Sequence, residues 1–189
     1  MTPVALQGGF DTAPIQSAHA FRAALDALAN PGKICAVAGA APPAPLSVAA
    51  GVLILTLCDG TTPVHLTGAH DCADVRDWIT FHTGAPFADA ENATFTIGTW
   101  PALQPVSRFS TGTPDYPDRA ATLIIEMPHL TADGPLLTGP GIQHSARLSL
   151  PETAAFQANW ALFPMGFDCF FTAGTHLAAL PRSTHVKDI

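Results

Sequence analysis

The chain has 189 residues, of which 48% are hydrophobic and 12% charged, and its formal net charge is −7 with only 8 lysines and arginines. This length fits a single domain over residues 1–189. The scattered basic residues exclude a basic stripe for nucleic acid, and the longest apolar run, residues 48–58, is too short to span a bilayer. A typical domain is about 25% charged. The chain is therefore either a charge-poor monomer or a subunit whose surface is covered by a permanent partner.

The cysteines lie far apart and form no CxxC pattern, and the first residues show no basic segment followed by an apolar run. On these grounds we expect reduced thiols, no zinc site, no signal peptide and a cytoplasmic location.

Helices and strands alternate in the first half of the chain. A helix begins near Pro14 and ends before Pro31, because the residue ahead of a proline avoids the α region. Ser47 and Asp71 are suited to cap the next two helices, and Gly84 is suited to end the second of them. Helical spacing in the first helix is kept by Ile15, Ala18, Phe21 or Arg22, Leu25 and Leu28. The predicted elements are a helix over 14–30, a strand over 33–37, a helix that Ser47 caps and that runs to about residue 57, a strand over 63–66, a helix that follows Asp71 and ends before Gly84, and a strand over 93–97.

Consecutive strands dominate the second half. The run Thr122–Met127 is β-branched and aliphatic, which is typical of a strand buried on both faces. It follows a loop of small hydroxyl residues, glycine and proline that begins at Ser110. The whole stretch from Ser110 to Ile142 predicts two strands and closes at Gly139-Pro140-Gly141. Residues 100–109 are ambiguous. The remaining predicted elements are a strand over 144–150, a helix over 151–162 and a hairpin of strands 167–172 and 177–180. Together these elements predict an α/β fold, a three-layer-like sandwich with a mixed sheet.

His82 lies at the predicted end of an amphipathic helix, followed by Thr83. A histidine there could act as a general acid or base, or it could cap a helix carbonyl and interact with the helix dipole. His65, His70 and Asp71 lie close together in the sequence but lack the regular i, i+4 spacing of metal ligands. We assign them structural roles and predict no metal site.

The hydroxyls of the loop at Ser110, with Arg108 and Arg119 nearby, could hold an anion or could form a hydrogen-bonded turn. The glycines at 139–141 resemble a phosphate loop only in part, since the following Lys-Ser/Thr pair is missing and Pro140 removes an amide donor. Arg182 follows the last predicted strand, where Asp168 is a suitable ion-pair partner. No residue pattern by itself predicts a reaction.

Eight short motifs, running in order from Phe21 to Val186, carry a family resemblance. They are Phe21-Arg22 with Pro31-Gly32, Leu55-Thr56-Leu57 with Asp59 and Thr62-Pro63-Val64, Phe81 to Pro86, Ser110-Thr111-Gly112-Thr113, Ala121-Thr122-Leu123, Leu137 to Ile142, Phe163 to Asp168, and Leu180 to Val186. In this order they resemble the PhnH family, subunits of the bacterial carbon–phosphorus lyase core complex. The chain departs from the family pattern at Asp118, where a glutamate is expected, and over residues 100–109.

The resemblance implies a fold similar to that of the pyridoxal-phosphate-dependent transferases, without that cofactor. Its only lysines, Lys33 and Lys187, agree with this, because neither has the glycine- or serine-rich setting of a Schiff-base lysine. The family forms dimers and joins the G, I and J subunits. With these and the L subunit, the complex attaches an alkylphosphonate to the ribose C1 of ATP and expels adenine, giving a ribose 1-alkylphosphonate 5-triphosphate.

The resemblance therefore implies an assembly subunit without its own catalytic centre or cofactor, with ATP as substrate of the whole complex. Two alternatives stay open: a module that binds nucleotide or phosphonate at the Ser110 loop, and a small enzyme that uses His82. The predicted contacts with a ligand or partner are His82, Thr83, Arg108, Ser110, Thr111, Gly112, Thr113 and Arg182.

Overall fold

The computed structural model describes residues 6–188 and is built around a six-stranded sheet. Its helices are α1 (Ala13–Ala29), α2 (Val48–Leu57), α3 (Ala73–Thr83), α4 (Trp100–Leu103) and α5 (Thr153–Trp160). Its strands are β1 (Cys35–Ala36), β2 (Val64–Leu66), β3 (Phe95–Thr99), β4 (Thr122–Glu126), β5 (Leu136–Thr138), β6 (Ala146–Arg147), β7 (Asp168–Ala173), β8 (His176–Leu180) and β9 (His185–Lys187).

The strands of the large sheet follow the order β1-β8-β7-β4-β3-β2. β2, β3, β4 and β7 are parallel, β8 runs antiparallel to β7, and β1 runs antiparallel to β8. Leu123, Ile124 and Ile125 of β4 are fully buried, which confirms the prediction that both faces of this strand are covered. A second, antiparallel sheet has the order β6-β5-β9.

Two apolar cores lie on opposite faces of the large sheet. One joins α1, α2 and α3 to Ile124 and Phe170, and the other joins α4, α5 and the small sheet to Ile125 and Phe171. Successive side chains of β4 and β7 thus alternate between the two cores. A mixed sheet between two covering layers confirms the predicted α/β sandwich. The likeness to pyridoxal-phosphate-dependent transferases stays a prediction.

The helix termini follow the sequence signals with one exception. Ser47 Oγ accepts the Ala50 N–H at 3.1 Å at the start of α2, and Gly84 ends α3 with φ of +68°. The prediction that Asp71 caps α3 is wrong: Cys72 is the N-cap residue, and the Asp71 carboxylate pairs instead with the Arg76 guanidinium. Among the described helices, none combines the length and apolar character needed to cross a membrane.

Several short elements differ from their predicted extents. The strand predicted over 33–37 is reduced to β1, and the one over 144–150 to β6. The ambiguous residues 100–109 form α4 and a 3₁₀ turn, Val106–Arg108. β9 was not predicted; Val186 pairs with Leu137 across the small sheet and is buried. Three residues with one apolar side chain carry too little alternation to be recognised as a strand.

α1 has the predicted extent, but three of its large apolar side chains, Ile15, Phe21 and Leu25, are exposed, whereas Leu28 packs against the core. Ala20, Ala24 and Ala27 are the buried residues of this helix. Ile15 and Leu25 are exposed, although they belong to the stripe that gives the sequence its helical period. The helix therefore presents apolar side chains on both sides.

Candidate functional site

The loop from Ser110 to Ala121 is closed at its base by backbone hydrogen bonds. The Ala121 N–H donates to the Ser110 carbonyl at 2.8 Å, and Thr111 pairs with Ala120. From outside the loop, the Gly166 N–H donates to the Thr111 carbonyl at 2.9 Å. The loop leads directly into β4, so the buried central strand fixes its position.

Within the loop, hydroxyls and amides bond to one another. Ser110 Oγ donates to the Arg119 carbonyl at 3.0 Å and accepts the Gly112 N–H at 3.3 Å. The backbones of Thr113 and Tyr116 bond reciprocally, at 3.2 and 3.1 Å. Gly112 has a φ of +76°, and a Cβ at this position would meet the Pro117 backbone at 2.8 Å. These contacts form a tight hydroxyl-stabilised turn, in which the amides of Gly112, Thr113 and Tyr116 are already used as donors.

Arg182 fastens this loop to the ends of β7 and β8. Its Nη2 lies 2.6 Å from Asp168 Oδ2, and its Nε and backbone N–H both donate to Asp168 Oδ1, at 3.2 and 2.8 Å. Its Nη1 donates to the Pro117 carbonyl. The side chains of Arg182 and Asp168 are only 14% and 26% exposed. The predicted ion pair is thus confirmed, and this guanidinium serves the protein's own groups.

Arg108 is directed toward α4. Its Nη2 donates to the Ala102 carbonyl at 2.9 Å, and its guanidinium carbon lies 4.9 Å from the centre of the Phe109 ring. Nε is buried with no hydrogen-bond partner among the described residues. The contacts of Arg108 therefore stabilise the turn before Phe109, and none of those described reaches the hydroxyls of the loop.

His82 and Thr83 belong to the opposite face of the sheet, with the α1–α3 core. His82 Nε2 lies 3.2 Å from the carbonyl of Gln7, and its ring packs against Trp78 and Phe81 at centroid distances of 5.1 and 4.9 Å. Its polar partner is thus the N-terminal segment, which differs from the predicted cap of a helix carbonyl. Thr83 Oγ1 donates to the Ile79 carbonyl at 2.7 Å within α3. The structure does not bring these two residues to the Ser110 loop.

An apolar cleft of about 320 Å³ opens beside the loop. It is lined by Val106, Ser107, Thr111, Ala155, Ala158, Asn159, Leu162 and Phe167. None of these side chains is charged, and Asn159 is satisfied by two 2.9 Å hydrogen bonds with the Phe167 backbone. The sequence does not predict this cleft, because its walls come from three separate segments of the chain.

Exposed aromatic and aliphatic side chains lie next to the cleft at the end of α5, namely Trp160, Leu162 and Phe163. The Trp160 ring stacks on the His185 ring at a centroid distance of 4.1 Å and an interplanar angle of 15°. We call the cleft and these three residues the loop–α5 surface. Three large apolar residues in four positions at the end of a predicted helix are the one sequence signal for it.

At the carboxyl ends of β4 and β7, a position where α/β proteins commonly bind ligands, polar groups of the protein bond to one another. Glu126 Oε1 accepts the Ser47 N–H at 2.7 Å, and Oε2 accepts the Thr172 hydroxyl at 3.1 Å. The Ala49 N–H donates to the Gly174 carbonyl at 2.9 Å. Burial raises the pKa of Glu126, while the hydrogen bonds from Ser47 and Thr172 oppose that shift. The donors at the start of α2 are therefore occupied.

The thiols of the described residues are separate from one another. All the cysteines are free thiols, as predicted. Burial raises the pKa of Cys58 to about 12 and that of Cys169 well above its ordinary value, so both stay protonated. Across residues 6–188, no three His, Cys, Asp or Glu side chains are grouped to hold a metal ion. Lys33 pairs with Asp26 at 2.6 Å on the surface.

Comparison with known proteins identifies the family. Residues 8–187 match the model of PhnH, the bacterial phosphonate metabolism protein. The chain is 38% identical, over 95% of its length and 94% of the relative's, to the α-D-ribose 1-methylphosphonate 5-triphosphate synthase subunit PhnH of Rhizobium meliloti (strain 1021). It is 30% identical, over 89% of its length and 84% of the relative's, to a protein of Stutzerimonas stutzeri whose name, C-P lyase subunit protein HtxG, is provisional. The chain therefore belongs to the PhnH family of bacterial phosphonate metabolism proteins.

Proposed function

We propose that this chain is a subunit of the carbon–phosphorus lyase core complex and that it contributes to assembly without a catalytic centre of its own. The match to a named synthase subunit over nearly the whole of both chains supports the membership. Together with the G, I, J and L subunits, the complex would form a ribose 1-alkylphosphonate 5-triphosphate from ATP and an alkylphosphonate, releasing adenine. ATP is then a substrate of the complex, and this chain holds no cofactor. We expect the complex to be cytoplasmic.

The observation that carries the non-catalytic role is the pairing of the predicted site residues within the protein. The hydroxyl of Ser110 and the guanidinium of Arg182 are bonded to the loop and to Asp168, and His82 lies on the other face of the sheet. A nucleophile needs an adjacent base, and a phosphate site needs unoccupied donors. Among the described contacts, none gives these residues an adjacent base or a set of unoccupied donors. The contacts of Ser110 and Arg182 instead stabilise the conformation of the loop.

We assign the contact with a neighbouring subunit to the loop–α5 surface. Interface centres are depleted in charge, and they draw most of their binding energy from a few aromatic anchors. Trp160 and Phe163 are exposed beside an uncharged cleft, and the His185 ring holds Trp160 in a fixed orientation. A surface fixed before binding loses less conformational entropy on association. The rigid Ser110 loop forms one rim of this surface.

The test is co-expression with the G, I and J subunits, followed by purification through one affinity tag on a partner subunit. The unchanged chain is expected to co-elute in mild salt, and its absence would contradict the proposal. Phe163→Glu is expected to reduce co-elution strongly, because it buries a charge in the interface. Phe81→Glu is the matched control: Phe81 is 58% exposed and Phe163 59%, but Phe81 lies on α3 across the sheet. Equal effects of the two substitutions would refute the assigned surface.

When isolated, the chain is expected to form a homodimer. Its low content of charged residues, 12%, and its exposed apolar side chains support self-association. The loop–α5 surface and the homodimer contact need not coincide, because exposed apolar residues also occur on α1.

A further inference from the structure

His70 is a buried histidine whose ring nitrogens are not hydrogen-bonded. It ends a 3₁₀ turn, Gly68–His70, that joins β2 to α3, and it is only 3% exposed. Neither Nδ1 nor Nε2 has a hydrogen-bond partner among the described residues. Because a neutral imidazole carries one N–H and an imidazolium two, burial disfavours the charged ring more strongly. Burial accordingly lowers the pKa of His70, and the Thr67 backbone has a smaller effect in the opposite direction.

The turn Gly68–His70 is packed against β3 and α4. Just before it, the Thr67 N–H and hydroxyl both donate to the Ile97 carbonyl of β3, at 3.0 and 3.2 Å. Gly68 lies so close to α4 that a Cβ added to it would come within 2.8 Å of Ala102 Cβ. Since packed elements leave little free space between them, a movement of the turn displaces α4 as well.

Buried polar atoms without partners are concentrated in this part of the molecule. Among the described residues they belong to the side chains of His70, Thr96, Arg108 and Thr184. The first three lie on the turn, on β3 and on the segment that follows α4, and these segments contact one another through β3 and α4. Each unbonded polar atom lowers the local stability. The turn and α4 are therefore the elements that open at low cost.

No carboxylate is available to pair with a protonated His70. β3 and α4 contain no titratable residue, and on β2 the His65 Nδ1 lies 2.9 Å from a backbone carbonyl. After the turn, the Asp71 carboxylate pairs with Arg76. Beyond α4, the Arg108 guanidinium adds a positive charge and donates to an α4 carbonyl. The other two carboxylates of α3 are exposed, Asp74 and Asp77.

We propose that His70 is an acid-sensitive trigger, whose protonation opens the turn Gly68–His70 and loosens α4. In the opened form the ring reaches water and has the ordinary histidine pKa of 6.5. Since the pKa is lower in the closed form, the opened form binds the proton more tightly. Opening is therefore suppressed above pH 6.5 and becomes more favourable as the pH falls below it.

The loosening of α4 extends to the cleft of the loop–α5 surface. Arg108 Nη2 donates to the Ala102 carbonyl of α4, and Val106 and Ser107, which line the cleft, lie between these two residues in the chain. A displaced α4 thus moves one wall of the cleft, so acid weakens the contact with a partner subunit. This extension rests on the proposed function, whereas the opening of the turn does not.

Hydrogen exchange of the full chain, measured by mass spectrometry, tests the opening. The peptide over 64–72 is compared one pH unit above and one below 6.5, and each rate is divided by the intrinsic rate at that pH. Its protection falls by up to about tenfold in acid, because only the opened form takes up the proton. The peptide over 122–126 keeps its protection. His70→Phe has no titratable ring and is protected equally at both pH values, whereas His129→Phe, the same substitution at an exposed histidine, retains the pH dependence.

Three results would overturn the inference. They are equal protection of the unchanged chain at both pH values, a pH dependence that persists in His70→Phe, and an equal loss over 122–126, which global unfolding explains. If His70→Phe does not fold, proton NMR of the unchanged chain decides. The His70 ring is expected to stay neutral below pH 6.5, where exposed histidines are protonated, and its titration together with them contradicts the trigger.

Co-purification with the G, I and J subunits at the same two pH values tests the extension to the cleft. The unchanged chain is expected to be released in acid, whereas His70→Phe is retained. Equal retention of both in acid would refute the extension. Loss of the unchanged chain already at the higher pH is a different result, which refutes the proposed function and leaves the exchange measurements as the test of the trigger.

Discussion

In the loop from Ser110 to Ala121, polar groups bond to one another, whereas along the outer face of α1 large apolar side chains lie exposed. The loop has the residue types of a binding site, but the hydroxyls of Ser110 and Thr113 and several amides of the loop are used for its own conformation. α1 has the residue types of a core helix, but its Ile15 and Leu25 contact solvent. The comparison indicates that the side chains which this protein leaves exposed for binding are mainly apolar. Exposed apolar side chains favour association with other proteins over a reaction on a small molecule.

The largest effect is expected from removing the clamp that makes the loop rigid. Arg182→Met leaves Asp168 and the Pro117 carbonyl without their partner, so the free energy of unfolding falls by about 2–3 kcal/mol. Chemical denaturation measures this loss. Arg76→Met serves as the control, because the pair of Arg76 with Asp71 is largely exposed and contributes less than about 1 kcal/mol. Equal losses in the two variants would show that the loop is not held by a buried clamp.

A smaller effect on the unfolding free energy is expected at Glu126, at the carboxyl end of β4. Because its pKa is raised in the folded state, the folded protein holds this proton more tightly than the unfolded chain does. The resulting stabilisation is complete below the ordinary pKa of 4.5 and is lost as the pH rises through the folded-state value. The unfolding free energy of the natural protein minus that of Glu126→Gln should therefore decrease as the pH rises above 4.5. A difference that rises with pH instead would mean that the hydrogen bonds from Ser47 and Thr172 outweigh the burial.

The smallest effect is expected at His82, for which we propose a structural role. His82→Ala removes the contacts with Gln7, Trp78 and Phe81 and lowers the unfolding free energy by about 1 kcal/mol. Growth on a phosphonate as the phosphorus source, in a host that depends on this chain, should persist. His144→Ala, at an exposed position, is the control for stability. Lost growth with unchanged stability would support the alternative of a small enzyme.

Periodicity in the sequence was sufficient to predict the main elements of the fold. β4 was predicted because an uninterrupted aliphatic run suits a strand covered on both faces, and α2 because Ser47 precedes an apolar helix. The ends of the elements were less predictable. Asp71 is a residue type that often caps helices, but its carboxylate pairs with Arg76. A side chain can bond only to the groups that the fold places near it.

The candidate surfaces could not be predicted, because they depend on which side of an element the fold covers. The stripe of Ile15 and Leu25 predicts a helix, but only packing shows that the alanine face is the buried one. The cleft next to Phe163 needs three segments brought together in space. The Arg182–Asp168 pair was predictable because both residues flank one hairpin.

The central claim is that the chain contacts a partner subunit through the loop–α5 surface. Single-tag co-purification with the G, I and J subunits tests it most directly when the unchanged chain, Phe163→Glu and Leu25→Glu are compared side by side. The account predicts that Phe163→Glu is lost from the complex and that Leu25→Glu is retained. Retention of Phe163→Glu at the level of the unchanged chain would contradict it.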